Sequence, residues 1–222
     1  KENKEDHLNY VEPVLYKVST GSLILDVATG GGFNPGVQRL CGQNNCGKTP
    51  ESLEIMSNFF KTVPGRKRGL YVKAEGRGLS KKNIERTDLT FVTKVEDWKD
   101  NTVFVLKTNI YELVVKLLRR LIKEENPDGF KYCFIFDSTD ALTLKDDSDK
   151  QIDENAKVAG APLISKRFLS SMNSYITELG HLGVFIGQVT AEIKIDPRVR
   201  TAYRAGNYSG GNALNHYPDF II

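Results

Sequence analysis

Residues 41–52, CGQNNCGKTPES, combine glycines, a lysine and a threonine at the spacing of a phosphate-binding loop. The pattern G-x-x-x-x-G-K-[ST] is matched at every fixed position. Glycines let backbone N–H groups turn toward phosphate oxygens, the lysine brings a positive charge to the β- and γ-phosphates, and the threonine hydroxyl binds Mg²⁺. We therefore predict that this segment holds a nucleotide with Mg²⁺. The predicted contacts are Gly42, Gln43, Asn44, Asn45, Cys46, Gly47, Lys48, Thr49 and Pro50.

The sequence on both sides of the loop has the organisation that a nucleotide site requires. A short apolar run, VQRLCG, predicts a strand leading into the loop. The next segment, PESLEIMSNFFKTV, predicts a helix with Pro50 in its first turn, where proline is tolerated. The alternative is a chance match in a glycine-containing turn, but a chance match would not be expected to lie between a predicted strand and a predicted helix. The context favours nucleotide binding.

Two acidic residues follow predicted strands elsewhere in the chain. Asp137 ends the apolar run from Cys133 to Phe136, and a carboxylate at the carboxyl end of a strand beside the loop is where a Mg²⁺ ligand is expected. Its alternative role is to cap the next turn. Glu75 follows LYVKA and has the same strand-end position, from which it could orient or deprotonate an attacking water.

The remaining elements alternate between strands and helices. A helix is predicted from Ser22 to Thr29, and NIYELVVKLLRRLIKEE predicts another, capped by Asn109, with Leu113 among its inward-facing residues. A third, SKRFLSSMNSYITELG, ends at Gly180. LTFVTK, LGVFIGQ and the final HYPDFII predict strands. The predicted fold class is α/β, with a mostly parallel central sheet flanked by helices on both faces.

Composition narrows the class of protein. The chain has 222 residues, with 31 Lys and Arg against 28 Asp and Glu, so total charge alone does not indicate nucleic-acid binding and any basic surface must be local. Three cysteines, an odd number, fit a reducing compartment better than a disulfide framework, and their spacing with the three histidines matches no zinc pattern. The chain contains no long apolar run, and KENKEDHLNY is not a signal peptide. We expect a soluble cytoplasmic protein with no membrane partner.

Several segments occur together in the order found in the RecA recombinases. They are STGSLILDVATGGG, the phosphate loop, YVKAEG, FIFDSTDALT, GVFIGQV and SGGNALNHY. From about Val18 onward the chain therefore resembles the RecA family, and its lead-in glycines and GGNAL segment are the most specific motifs. The resemblance implies a RecA-like P-loop NTPase core over 19–222, preceded by an N-terminal arm over 1–18. Because the sequence stops in a predicted strand, we expect the core to be truncated at its C-terminal end.

The resemblance also implies an activity and assigns roles. Such a protein polymerises on single-stranded DNA as a filament, binds ATP between subunits, and promotes pairing with homologous duplex DNA and strand exchange in recombination and repair. Lys48 and Thr49 would bind phosphate and Mg²⁺, Asp137 would be the metal-side carboxylate, and Glu75 would activate water. Gln188 would contact the γ-phosphate and pass its presence to the adjoining DNA loop. Without the resemblance, Gln188 is a polar residue at a strand end.

Two segments, 145–162 and 189–211, fall where the family has its DNA loops. The second is basic and aromatic, and such residues track a phosphate backbone and stack on bases. An exposed basic loop is the alternative. The predicted DNA-binding residues are Lys194, Arg198, Arg200, Tyr203, Arg204, Tyr208, Gly210, Gly211 and Asn212. Lys166 and Arg167 are further candidates, whose alternative role is a solvated helix start.

Three departures from the family pattern bear on these expectations. The segment 145–162 is acidic, so it is not expected to clamp phosphates. A threonine follows Gln188 where the family usually has an arginine. Asn215 and His216 stand where lysine and phenylalanine usually follow GGNAL, which predicts altered coupling of nucleotide state between subunits.

Three other functions remain open from the sequence. A RecA-fold hexameric helicase or RadA-type motor would assemble as a ring and not as a filament. A mediator would bind ATP and DNA without hydrolysis. A small-molecule kinase would need an acceptor pocket, whereas this sequence has a long basic segment after Gln188.

Overall fold

A computed structural model describes residues 16–76, 79–124, 126–145, 160–190, 207–208 and 213–222, with the side chains of 160–165, 190, 207, 208 and 213 not described. The strands are β1 (Gly36–Gly42), β2 (Lys67–Lys73), β3 (Thr90–Val92), β4 (Thr102–Lys107), β5 (Lys131–Asp137), β6 (Leu182–Thr190), β7 (Asn207–Tyr208) and β8 (Phe220–Ile221). The helices are α1 (Leu23–Ala28), α2 (Lys48–Thr62), α3 (Lys81–Ile84), α4 (Tyr111–Arg119), α5 (Gly160–Glu178) and α6 (Ala213–His216). A π-helical turn, Arg120–Glu124, continues α4.

Seven of these strands form an all-parallel sheet in the order β3-β4-β2-β5-β6-β1-β8, and β7 pairs antiparallel with β6. The register places Gly42 beside Gln188 and Lys73 beside Asp137. Because parallel strands end at a common edge, the loop after β1, Asp137 and Gln188 lie along the same edge of the sheet.

The two faces of the sheet are both covered, which explains why β5 and β6 are almost continuously apolar. Alternate residues of β5 point to opposite faces, so Phe134 packs with α4 and α5 while Ile135 packs with α2. Phe136 stacks on Phe185 of β6 with ring centroids 4.3 Å apart. The predicted α/β class, with a parallel sheet between two helical layers, is confirmed, and the architecture is consistent with a Rossmann-like or phosphate-loop fold.

The predicted start of α4 was wrong. Ile110 is the residue before its first turn and makes no side-chain cap, whereas the carbonyl of Asn109 accepts a hydrogen bond from the Thr143 N–H at 2.7 Å. Together with the Tyr111 N–H, which donates to the Thr143 carbonyl at 2.9 Å, this contact pairs Ile110 with Thr143 in a parallel bridge. Leu113, predicted to face inward, is 52% exposed. The inward positions are Tyr111, Val114, Leu118 and Ile122.

Other boundaries differ less. The strand β4, TVFVLK, was not predicted, and α5 begins at Gly160, five residues earlier than expected. Gly180 does close α5, with a φ of 72° that favours glycine. Val18, placed by the sequence in an N-terminal arm, is buried and bridges Phe33.

Within the described residues, none of the helices is both long enough and sufficiently apolar to cross a bilayer.

Candidate functional site

The loop between β1 and α2 has the backbone shape of a strand-to-helix turn that needs glycine. Gly47, immediately before α2, has a φ of 97°, and Asn45 also has a positive φ of 62°. A Cβ added at Gly47 would meet no atom within 4 Å, so the backbone angle and not lack of space requires glycine there. The first N–H groups of α2 have no partner within the helix and are available to an anion.

The ammonium group of Lys48 lies against its own loop. It donates to the carbonyl oxygens of Gly42 at 2.8 Å and Gln43 at 2.7 Å, and lies 3.8 Å from the Cys46 sulfur. Gly42 and Gln43 therefore orient the lysine. An ammonium has three rotatable donors, so it can exchange these contacts for phosphate oxygens.

Asp137 joins the start of α2 to the end of β5. Its Oδ2 accepts a hydrogen bond from the Thr49 hydroxyl at 2.8 Å and another from the hydroxyl of Tyr71 on β2. Asp137 is only 4% exposed and Tyr71 is fully buried. Burial, reinforced by the Asp137 charge, raises the pKa of Tyr71 far above its usual value, so the phenol keeps the proton that it donates.

Glu75 lies beside the same strand end. The Ser138 hydroxyl donates to Glu75 Oε1, and the backbone N–H groups of Ala74 and Glu75 donate to the Asp137 carbonyl at 3.0 and 3.2 Å. These contacts tie the segment after β2 to the end of β5. Glu75 is thereby held at the carboxyl edge of the sheet, half-buried.

Gln188 lies across the sheet edge from the loop. Its backbone N–H donates to Asp140 Oδ2 at 2.6 Å, and it pairs with Gly42 in the register of β1 and β6. Through β6 it leads into the basic segment, which leaves the described part of the chain after Thr190. Val189 of β6 pairs with Tyr208 of β7, so the backbone before residue 191 and the backbone after residue 206 meet next to Gln188.

A cleft of about 750 Å³ brings together most of the residues predicted for the nucleotide site. They are Asn44, Asn45, Cys46, Gly47, Lys48, Thr49, Pro50, Glu75, Asp137 and Gln188. Gly42 and Gln43 are not in its lining and act through their carbonyl groups instead.

The cleft contains further residues that the sequence did not single out. Ser80 accepts a hydrogen bond from the Asn83 N–H and begins α3, while Lys82, Asn83 and Arg86 also line the cleft. These residues belong to the segment SKKNIER, which closely follows Glu75 in the sequence. Its basic residues are the feature of the sequence that could have indicated a place in the cleft.

A second cleft of about 600 Å³ adjoins the first. Both contain the loop from Cys46 to Lys48, with Asn83 and Arg86. The second cleft is also lined by apolar side chains and by Glu51. Burial, together with the negative charges of Glu54 and Asp26, raises the pKa of the Glu51 carboxyl. The groove is therefore larger than phosphates alone require and has an apolar end away from Glu75 and Gln188.

Beneath the loop, Arg39 of β1 is fully buried. Its guanidinium donates to the Leu214 carbonyl at 3.1 Å and to Asn215 Oδ1 of α6. The sequence placed Arg39 in an apolar strand and gave no partner for it. The structure thus connects β1, which leads into the loop, with α6, which follows the GGNAL glycines.

Most of the predicted DNA-binding residues lie outside the described part of the chain. These are Lys194, Arg198, Arg200, Tyr203, Arg204, Gly210, Gly211 and Asn212. For Tyr208 only the backbone is described, in β7.

Thr49 and Asp137 provide oxygen atoms of the kind that Mg²⁺ binds. The ion prefers a few oxygen ligands at an octahedral site completed by phosphate and water. The Thr49 hydroxyl donates a hydrogen bond to Asp137, which leaves the lone pairs of its oxygen for a metal. Within the described residues, no group of three or more His, Cys, Asp or Glu side chains could hold a metal. A Mg²⁺ ion here would therefore depend on the nucleotide for its remaining ligands.

No protein-family model matches the chain, and a search of curated proteins finds no match.

Proposed function

We propose that this protein is a DNA-dependent ATPase of the RecA type, which binds single-stranded DNA as a filament and promotes homologous pairing and strand exchange. One observation carries the proposal: Lys48, Thr49, Asp137, Glu75 and Gln188 line a single cleft at the carboxyl edge of a parallel sheet. The order of motifs along the sequence, from the lead-in glycines to GGNAL, supports the RecA type among phosphate-loop proteins.

Each side chain has a role that its contacts allow. Lys48 would exchange its carbonyl contacts for the β- and γ-phosphates and offset their charge. Glu75, oriented by Ser138, would accept a proton from the attacking water or position it for in-line attack. Thr49 and Asp137 would hold Mg²⁺, which when bound supplies neutralisation of charge on the phosphate oxygens.

Gln188 offers a physical route from nucleotide to DNA. Its side chain belongs to the cleft, while its backbone is held by Asp140 and continues through β6 into the basic segment. A contact between Gln188 and the γ-phosphate would bias the position of that segment and so the affinity for DNA. By linkage, ATP should strengthen DNA binding to the same extent that DNA strengthens ATP binding.

The test is ATP hydrolysis with and without single-stranded DNA, in the wild type and in Glu75→Gln. We expect DNA to stimulate ATP turnover. We expect Glu75→Gln to lower the turnover rate by about 10²-fold or more, which is the typical contribution of a general base. ATP binding should survive in Glu75→Gln, because the amide keeps the shape of the carboxylate.

Other outcomes would redirect the assignment. ATP and DNA binding without turnover would indicate the mediator. DNA-stimulated turnover with ring assembly, seen by electron microscopy of the ATP- and DNA-bound protein, would indicate the helicase-type motor. Turnover that ignores DNA and responds to a small phosphate acceptor would refute the proposal in favour of a kinase.

A further inference from the structure

Tyr71 places a hydroxyl group where the core of the sheet is otherwise apolar. It lies on β2 beside Ile135 of β5, and its ring packs in the same cluster as Leu53 and Met56 of α2. The side chain is fully buried, yet its hydroxyl reaches Asp137 at the edge of the cleft.

A buried hydroxyl is costly unless it is hydrogen-bonded, and phenylalanine would fill the same ring volume. Asp137 Oδ2 provides the partner. The hydroxyl therefore adds a contact to the site and not additional apolar packing.

The contact has a geometric consequence for the carboxylate. Oδ2 of Asp137 accepts from Thr49 on α2 and from Tyr71 on β2, and neither donor engages Oδ1. Two donors on two different elements fix the orientation of the carboxyl group, which a single donor would leave free to rotate. Oδ1 is left for the cleft that Asp137 lines.

We infer that Tyr71 is a positioning residue for the metal side of the nucleotide site. Its hydroxyl holds the Asp137 carboxylate in the orientation in which Oδ2 accepts from Thr49 and Oδ1 would be available to Mg²⁺ or to a water bound to it. The inference rests on the proposed binding of Mg²⁺ and nucleotide but not on DNA binding or strand exchange. Groups that orient metal ligands typically change metal affinity by about 10- to 100-fold when removed.

The experiment measures ATP affinity across a Mg²⁺ titration and in EDTA, in the wild type, Tyr71→Phe and Tyr16→Phe. Tyr16→Phe is the matched control, because its hydroxyl donates to the Gly180 carbonyl at 3.1 Å, at the opposite edge of the sheet. We expect Tyr71→Phe to raise the Mg²⁺ concentration at half-maximal ATP binding by about tenfold. ATP affinity in EDTA should be unchanged in both variants, and Tyr16→Phe should keep the wild-type Mg²⁺ midpoint.

A double-mutant cycle with Asp137→Asn separates positioning from a general effect. If Tyr71 acts through Asp137, adding Tyr71→Phe to Asp137→Asn should not raise the midpoint further. The same tenfold shift in both backgrounds would overturn the inference.

The other outcomes distinguish a failure of the inference about Tyr71 from a failure of the proposed function. An unchanged Mg²⁺ midpoint in Tyr71→Phe, while the wild type shows Mg²⁺-dependent ATP binding, would refute the role of Tyr71 and leave the proposed function standing. An equal loss of ATP affinity with Mg²⁺ and with EDTA would make Tyr71 a structural residue of the core. A wild type that binds no ATP at any Mg²⁺ concentration would refute both the inference and the proposed function.

Discussion

His181 should make the protein lose stability as the pH falls below about 6.5. The side chain is fully buried between α5 and β6, and its Nδ1 accepts a hydrogen bond from the Tyr132 N–H at 3.0 Å. Burial, with a smaller contribution from the charge of Lys131, lowers the pKa of His181 to about 3. Protonation of Nδ1 would remove the acceptor and bury a charge.

The magnitude follows from the difference in proton binding between the two states. The folded pKa lies below the unfolded pKa, so the contribution of neutral His181 is fully present above pH 6.5 and is lost as the pH falls toward 3. As the pH falls from 7.5 to 5, the excess of protons bound by the unfolded protein rises from near zero to about one. Integrated over this interval at ~1.36 kcal/mol per proton and pH unit, the free energy of unfolding falls by about 2 kcal/mol.

The assay is urea denaturation at pH 7.5 and pH 5.0, in the wild type, His181→Asn and His216→Asn. Asparagine keeps an acceptor for the Tyr132 N–H but does not titrate. We expect His181→Asn to be less stable at pH 7.5, because its smaller side chain packs less well against Tyr132 and Phe134, but to lose about 2 kcal/mol less than the wild type between the two pH values. His216→Asn, at an exposed position on α6, should follow the wild type. Equal losses in the wild type and His181→Asn would refute this account of His181.

Two further predictions concern the loop and the DNA contacts. Replacing Gly47 by alanine should lower the free energy of unfolding by about 1–2 kcal/mol, because its φ of 97° is unfavourable for a residue with a Cβ. Gly76→Ala, where a Cβ would also meet nothing and φ is not positive, should have little effect, and equal costs in urea denaturation would contradict this explanation. Affinity for single-stranded DNA should fall steeply with salt, with a slope of about −0.7 per phosphate contact in a plot of log affinity against log salt concentration. An affinity that hardly changes between low and physiological salt in a fluorescence anisotropy titration would count against the basic segment as the DNA contact.

The strand, loop and helix around residues 42–49 could be predicted from the sequence because that information is local. Lys48 and Thr49 are read from a short motif, and Asp137 and Glu75 follow apolar runs that predict strands. The shared edge of a parallel sheet then brings them together without further detail. Nucleotide and Mg²⁺ binding, the DNA-binding residues and the activity stay predictions.

Tyr71, Ser138 and Arg39 could not be found in this way, because their roles depend on strand order and register. Tyr71 reaches Asp137 only because β2 lies next to β5, and these strands are far apart in the chain. In the sequence Arg39 only interrupts an apolar strand. Its hydrogen-bond partners, the Leu214 carbonyl and Asn215, lie on α6 and are known only from the structure. The predicted cap at Asn109 was wrong for a related reason: the residue before the first turn of α4 is Ile110, which pairs with the distant Thr143.

The buried contact between Arg39 and Asn215 also bears on the departures from the RecA pattern. The resemblance to the RecA family leads us to expect lysine at this position, and a lysine there would bring a second cation next to a buried guanidinium. Asn215 therefore suits this chain, and the link from β1 to α6 runs through a neutral amide.

The most direct test of the central claim, that the loop at 42–49 binds nucleotide, is the affinity for ATP with Mg²⁺ in the wild type and in Lys48→Ala, measured by isothermal titration calorimetry. We expect binding in the wild type and a loss of at least 100-fold, about 2.8 kcal/mol, in the variant. The lysine would make charge-assisted hydrogen bonds to the phosphates, each contributing about 1.5–3 kcal/mol. Unchanged affinity in Lys48→Ala, with both proteins folded, would contradict the claim.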